Sequence, residues 1–248
     1  MSMTYRYIDE IKHLIEMIEE KDNESIEQAI ELLTDTIANK RSIYIFGASH
    51  AGILSQESFY RAGGLMPITP IFAKETMVDR EPISFTSKME RCLGYGTLVA
   101  SNYPFKENDV LIVHSVSGRN PVTIEIAISA KKAGMKVIGI TNLTYSKSVT
   151  SRHPDGKNLF EYCDIVLDNH GEIGDACVPI KNTSQKCAPT STVVGSILLN
   201  TIYSETVNRL VDIGISTPPV FYSANVDGGD EKNKQLFEQY KDVIHYKF

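Results

Sequence analysis

The sequence of 248 residues lacks several patterns that would assign it to a class of protein directly. None of its four cysteines stands in a C-x-x-C pair, so we expect reduced thiols and no zinc site. There are 25 basic and 31 acidic side chains, and the resulting net charge of -6 argues against general affinity for nucleic acid or an anionic membrane. The nucleotide-binding patterns G-x-x-x-x-G-K-[ST] and G-x-G-x-x-G are absent as well.

Long apolar runs are also missing. The longest uncharged stretch, residues 187–204, contains three serines, three threonines, one asparagine and one proline, which is not the composition of a membrane span. Charged residues interrupt the first twenty residues throughout, so no secretory signal is indicated there. These absences predict a cytoplasmic protein without a membrane partner.

What the sequence does contain is centred on a strand, a polar loop and a helix. Residues 110–113 form a short apolar run of the kind that is buried on both faces of a sheet. The polar loop 115–120 follows, and Pro121 stands at a favoured first position of a helix that ends at Gly134. Residues 137–140 form a second apolar strand, so the whole predicts a βαβ unit and a parallel sheet.

The polar loop reads S-V-S-G-R-N and has the components of an anion site. Backbone N–H groups at a helix start attract negative charge, and Ser115 and Ser117 add hydroxyl donors. Gly118 allows close approach of the backbone, and Asn120 is a good N-cap whose amide can also donate. From these residues alone two interpretations stay open, an anion site or a loop in which Ser117 and Asn120 only cap the helix.

An earlier segment repeats the same plan. A strand over residues 42–46 ends in the loop 47–52, and a helix is predicted from there to about residue 62. His50 lies in the loop and Glu57 lies on the helix, near the edge where a ligand crevice is expected. The alternatives are a surface or capping role for His50 and a solvent-facing role for Glu57.

The whole chain, residues 1–248, is interpreted as one domain. Two amphipathic helices occupy residues 1–40 and serve packing or dimer formation, the α/β core spans residues 41–214, and a tail with a last helix covers residues 215–248. A helix is predicted over residues 87–101. A polar loop over residues 144–157 is long enough to suggest a function.

A third polar segment, P-T-S-T, opens a long helix at Pro189. Together with the loop ending at Gly52 and the S-x-S-G-x-N loop, it resembles the SIS (sugar isomerase) domain family over roughly residues 38–214. The motifs F-Y-R-A-G-G-L, S-G-R-N-P, P-T-S-T-V-V-G and N-V-D-G-G-D-E resemble a bacterial branch of that family often described as phosphoheptose-isomerase-like.

This resemblance implies a three-layer α/β sandwich, flavodoxin-like or Rossmann-like, with a five-stranded parallel sheet flanked by helices and an N-terminal helical extension. It further implies a homodimer that binds a small sugar phosphate. The implied phosphate ligands are Ser115, Ser117, Gly118, Arg119, Asn120, Ser191 and Thr192, and the implied sugar contacts are Gly47, Ala48 and Ser49. Ala51 departs from the family pattern, since it stands where a serine is expected.

For function, the resemblance implies aldose–ketose isomerisation without a cofactor or metal. Glu57 is then the candidate base and His50 the candidate acid, with His153 and His170 as rivals. The same base could instead eliminate a group from the sugar, as SIS-type etherases do. A non-catalytic sensor that only binds the phosphosugar is the remaining alternative.

Overall fold

In the computed structural model, which describes residues 5–248, five parallel strands form a single twisted layer. Their order across the sheet is β2-β1-β3-β4-β5, which confirms the predicted five-stranded parallel sheet. The strands are β1 (Ile43–Gly47), β2 (Ile68–Pro70), β3 (Val110–His114), β4 (Lys136–Thr141) and β5 (Ile165–Asp168).

Helices cover both faces of this sheet, as the predicted three-layer architecture requires. They are α1 (Arg6–Lys21), α2 (Asn23–Ala38), α3 (Ile53–Glu57), α4 (Ser84–Glu90), α5 (Tyr95–Ala100), α6 (Pro121–Lys132), α7 (Leu143–Ser148), α8 (Ser191–Asp212) and α9 (Gly229–Tyr240). Among the described residues, no helix is long and apolar enough to cross a membrane.

The central strand β3 explains why its sequence is continuously apolar. Val110 and Ile112 pack into the core formed with α1, α2 and α8, whereas Leu111 and Val113 pack into the core formed with α5 and α6. All four side chains are therefore buried, which is typical of a parallel strand covered on both faces.

The N-terminal helices use their apolar stripes inside the chain. Leu14 and Ile18 of α1 and Leu33 and Ile37 of α2 are buried in the core that also contains residues of α8. Of the two roles considered for these helices, packing accounts for the stripes, so the stripes give no argument for a dimer.

Three local predictions were wrong. The helix after the first loop is short, because α3 ends at Glu57 and the chain turns through Tyr60 with a positive φ of 43°. The helix predicted over residues 87–101 is two helices, α4 and α5, with a turn that reaches Gly94 between them. Residues 144–157 are not all loop, since α7 occupies the first part.

An antiparallel hairpin was also missed. Its strands, β6 (Ala176–Pro179) and β7 (Lys186–Pro189), form a separate two-stranded sheet that leads directly into α8. Neither strand has the apolar alternation that would have revealed it, because most of its side chains are exposed or half-buried.

Gly139 of β4 provides a test of this packing. A Cβ atom there would lie 2.4 Å from the Cys163 Sγ atom, so Gly139→Ala is expected to lower the free energy of unfolding by about 1–3 kcal/mol. Cys163→Ala removes the obstructing sulfur, and the double variant should lose less stability than the two single variants together. Chemical denaturation of the four proteins measures this coupling. Strict additivity would contradict the contact.

Candidate anion-binding site

The candidate site lies at the carboxyl edge of the sheet, where β3 runs into α6 through residues 115–120, here called the cradle loop. Three carbonyl oxygens of this loop accept hydrogen bonds from neighbouring segments. Val116 O accepts from the Asn142 N–H at 3.0 Å, Gly118 O from the Leu159 N–H at 2.8 Å, and Arg119 O from the Arg152 N–H at 2.8 Å.

Most N–H groups of the cradle loop, in contrast, have no hydrogen-bond acceptor within the described residues. Ser115 N–H donates to Ile140 O at 3.0 Å, but the five N–H groups of residues 116–120 have no acceptor among residues 5–248. The N–H groups of Val122 and Thr123 in the first turn of α6 also lack an acceptor there. Successive free N–H groups beside a helix N-terminus form an anion-binding concavity.

Gly118 is the residue that makes this loop conformation accessible. Its φ of 60° lies in the left-handed region, and a Cβ atom would lie 2.9 Å from Ser146 Oγ. The hydroxyls of Ser115 and Ser117 bond to no other group in the described part of the chain, so both can donate to a ligand.

Asn120 does not cap α6 with its side chain, although its backbone occupies the N-cap position. Its Nδ2 donates instead to Glu90 Oε2 at 2.7 Å, and its Oδ1 accepts from Arg152 Nη1 at 2.8 Å. The capping alternative is therefore wrong for Asn120, and the first turn of α6 keeps its free N–H groups.

Three arginines, which we call the cationic flank, gather around this contact: Arg91, Arg119 and Arg152. Burial, followed by the neighbouring charges of Arg119 and Arg91, lowers the pKa of Arg152. Burial also raises the pKa of Glu90, and the Asn120 hydrogen bond and the charges of Arg91, Arg152 and His50 oppose that rise. The flank therefore concentrates positive charge beside the cradle loop.

The two predicted catalytic residues are found in different surroundings. His50 is exposed and lies close enough to Glu90 for its charge to act on that carboxyl. Glu57 forms an ion pair with Arg61 instead. Glu57 also lines an apolar groove between α3 and α8, together with Ile53, Leu54, Thr192, Val193 and Ser196.

The start of α8 is already occupied by a carboxylate. Asp175 accepts from the Ser191 N–H at 2.8 Å and from the Ser191 hydroxyl at 2.6 Å, and it accepts from the Thr190 N–H at 3.1 Å. Ser191 is thus engaged within the protein, while Thr192 faces the groove with Glu57. The Ser191 hydroxyl is therefore not a free donor in this structure.

The loop 47–52, which follows β1, contacts β3 through His114. Gly47, which ends β1, is paired with His114 in the sheet, and His114 Nδ1 lies 3.1 Å from Ala51 O. Ala48 is buried and Ser49 is half-buried with a φ of 54°. The predicted sugar contacts therefore follow the strand next to the one that carries the cradle loop.

Four residues of this region were missed from the sequence: Glu90, His114, Arg152 and Asp175. Glu90 and Asp175 belong to no motif, and Glu90 ends a short helix in a segment whose fold was predicted incorrectly. Arg152 had a signal, because it lies in the long polar segment 144–157. His114 directly precedes Ser115 and could have been considered with it.

A profile of the SIS domain family matches residues 6–142, which is more than half of the chain. This chain belongs to the SIS domain family, as its motifs predicted. A UPF0309 protein of Shouchella clausii is 49% identical over 246 residues, covering 99% of this chain and 100% of the relative. A UPF0309 protein of Oceanobacillus iheyensis is 48% identical over 246 residues, covering 98% and 100%. Within the family, the chain belongs to the UPF0309 proteins.

Solved structures agree with the fold. A phosphoheptose isomerase from Neisseria gonorrhoeae superimposes with a TM-score of 0.55 at 15% identity, over 84% of this chain and 96% of that one. A phosphoheptose isomerase from Francisella tularensis gives a TM-score of 0.52 at 14% identity, over 81% and 94%. These likenesses establish the five-stranded SIS architecture.

Burial at His114 generates a prediction for the pH dependence of stability. Burial lowers the pKa of His114 from 6.5 to about 4, whereas the unfolded chain binds a proton near the ordinary value. The unfolded state therefore gains protons first as the pH falls, and the free energy of unfolding should drop by about 3 kcal/mol between these two pKa values. His114→Asn keeps a donor for Ala51 O and should remove this drop in denaturation measured across the range. An unchanged pH profile would contradict it.

Proposed function

We propose that this protein binds a phosphorylated sugar, with the phosphate held by the cradle loop. The proposal rests on the hydrogen bonds of the loop. The carbonyl oxygens of Val116, Gly118 and Arg119 have protein donors, whereas the N–H groups of residues 116–120 lack acceptors in the described structure. A phosphate supplies the missing acceptors and the negative charge that a helix N-terminus favours. The Ser115 and Ser117 hydroxyls add two further donors.

The class of ligand is supported by the comparisons. The solved structures from N. gonorrhoeae and F. tularensis are phosphoheptose isomerases, which by their names act on a phosphorylated sugar. A sugar attached to a phosphate in the cradle loop would extend toward the loop 47–52, where Gly47, Ala48 and Ser49 are the proposed sugar contacts. Arg119 and Asn120 complete the loop side of the proposed phosphate site.

A thermal-shift screen tests the ligand class. Hexose, heptose and amino-sugar phosphates should raise the melting temperature, and their unphosphorylated parents should not, because only the former bring an anion. Ser117→Ala should weaken the best hit by roughly 10–100-fold in calorimetry, the effect of losing a donor to a charged acceptor. Ser204→Ala, on the outer side of α8, is the matched control. Equal affinity of both variants would count against the site.

We further propose aldose–ketose isomerisation as the reaction. A base removes the proton from the carbon next to the sugar carbonyl and returns it to the former carbonyl carbon, while an acid transfers a proton between the two oxygens. Glu57 is the proposed base and His50 the proposed acid. This reaction needs no cofactor or metal. The chain acts as one SIS-type domain, and Ser191 and Thr192 lie near the bound phosphosugar in the proposed complex. We also propose a homodimer, because the family resemblance implies one.

A binding protein without catalysis is the second candidate, and one observation favours it. Glu57 is paired with Arg61 and lies in the apolar groove beside α8, whereas His50 lies near Glu90. The two proposed catalytic groups therefore have separate partners.

Glu57→Gln separates the two candidates. If the protein is an isomerase, this variant should still bind the best sugar phosphate but lose most turnover, followed as product formation with deuterium uptake from solvent at the former carbonyl carbon. Loss of one acid–base group typically costs about 10²–10⁴-fold in rate. Binding by both proteins without deuterium uptake by the wild type would establish the sensor instead.

A further inference from the structure

The cationic flank differs from most other arginines of this chain in how its charge is balanced. Of the five arginines outside the flank, Arg41, Arg61, Arg80 and Arg209 each form an ion pair with an aspartate or glutamate, whereas the exposed Arg6 forms none within residues 5–248. Within residues 5–248, the three flank arginines form no ion pair, although the protein is acidic overall. Their charge is therefore available to an anionic ligand.

Glu90 lies close enough to Arg91 and Arg152 for their charges to act on its carboxyl, yet it forms no ion pair with them. Its Oε2 atom accepts from Asn120 rather than from an arginine. The other end of the same amide accepts from Arg152 at 2.8 Å. Glu90, Asn120 and Arg152 therefore form a chain of two hydrogen bonds that fixes the guanidinium of Arg152 beside the cradle loop.

The backbone strengthens the same placement. The Arg152 N–H donates to Arg119 O at 2.8 Å, and Arg119 Nε donates to Thr150 O at 3.0 Å. Two arginines from separate segments are thus held side by side despite their repulsion. A bound anion reduces the repulsion between like charges, and a guanidinium is well shaped to bind phosphate oxygens in pairs.

We propose that Arg91 and Arg152 join Arg119 in selecting a dianionic phosphate monoester over a monoanion, and that Glu90 positions Arg152 through Asn120. This inference rests on the proposed phosphate site and extends it to side chains outside the cradle loop. Three positive charges against the single charge of Glu90 leave an excess of two, which matches the roughly -2 of a phosphate monoester above its second pKa. Arg152 and Arg91 determine specificity, and Glu90 is a positioning residue.

Methyl phosphate and methyl sulfate test the selection at pH 8, because both present three terminal oxygens on a tetrahedral head and differ by one charge. In calorimetric titrations the wild-type protein should prefer methyl phosphate. Arg152→Gln and Arg91→Gln should each weaken methyl phosphate by roughly tenfold and methyl sulfate by less, so that the preference falls. Arg41→Gln, at the opposite edge of the sheet, is the matched control and should retain the preference.

Glu90 requires its own pair of variants. Glu90→Gln keeps an oxygen that accepts from Asn120 and should retain the preference for methyl phosphate, whereas Glu90→Ala removes that oxygen and should behave like Arg152→Gln. If both Glu90 variants behave like the wild type, the positioning role is refuted.

The outcomes separate this inference from the proposed function. Weaker binding by Ser117→Ala with an unchanged preference in the two arginine variants would overturn the flank and leave the cradle loop standing. No binding of methyl phosphate by the wild-type protein would overturn both. A circular dichroism spectrum and melting temperature for every variant exclude loss of the fold as the cause of a change.

Discussion

The proposed site depends on hydrogen bonds that hold the cradle loop by its carbonyl oxygens. Donors from three neighbouring segments, Asn142, Leu159 and Arg152, hold its carbonyl oxygens, so the loop is anchored without using the N–H groups of residues 116–120. Several N–H groups in succession without a protein acceptor can be satisfied by a ligand that supplies the acceptor. The same feature thus anchors the loop and supports the proposed binding of an anion.

The parallel sheet places these segments together. Because β3 lies at the centre of the sheet, the loops after β1 and β4 flank the cradle loop on both sides. His114 links β3 to the loop after β1, and Thr141 Oγ1 donates to Ser115 O at 2.7 Å from β4. The site therefore depends on strand order and not on any one motif. Asp175, which directly precedes the hairpin, keeps the N-terminus of α8 occupied.

The βαβ unit and the cradle loop were predictable from the sequence because both are local, whereas the five-stranded sheet was implied by the family resemblance. Residues 110–113 are buried on both faces and so are continuously apolar, and Gly118 with its flanking serines lies in one short segment. Glu90 and Arg152 were not predictable, since only packing of α4 and of the 144–157 segment against the loop brings them to Asn120. The stripes of α1 and α2 likewise predicted amphipathic helices but could not identify α8 as their partner.

Backbone amide NMR shows directly whether the cradle loop holds the phosphate. On addition of a sugar phosphate, the amide protons of residues 116–120 and of Val122 and Thr123 should show the largest downfield shifts, because each of these groups gains a charged acceptor. Amides at the start of α8 should change little, since Asp175 already occupies that helix end. Shifts concentrated at α8, with the 116–120 amides unmoved, would contradict the central claim that the cradle loop holds the phosphate.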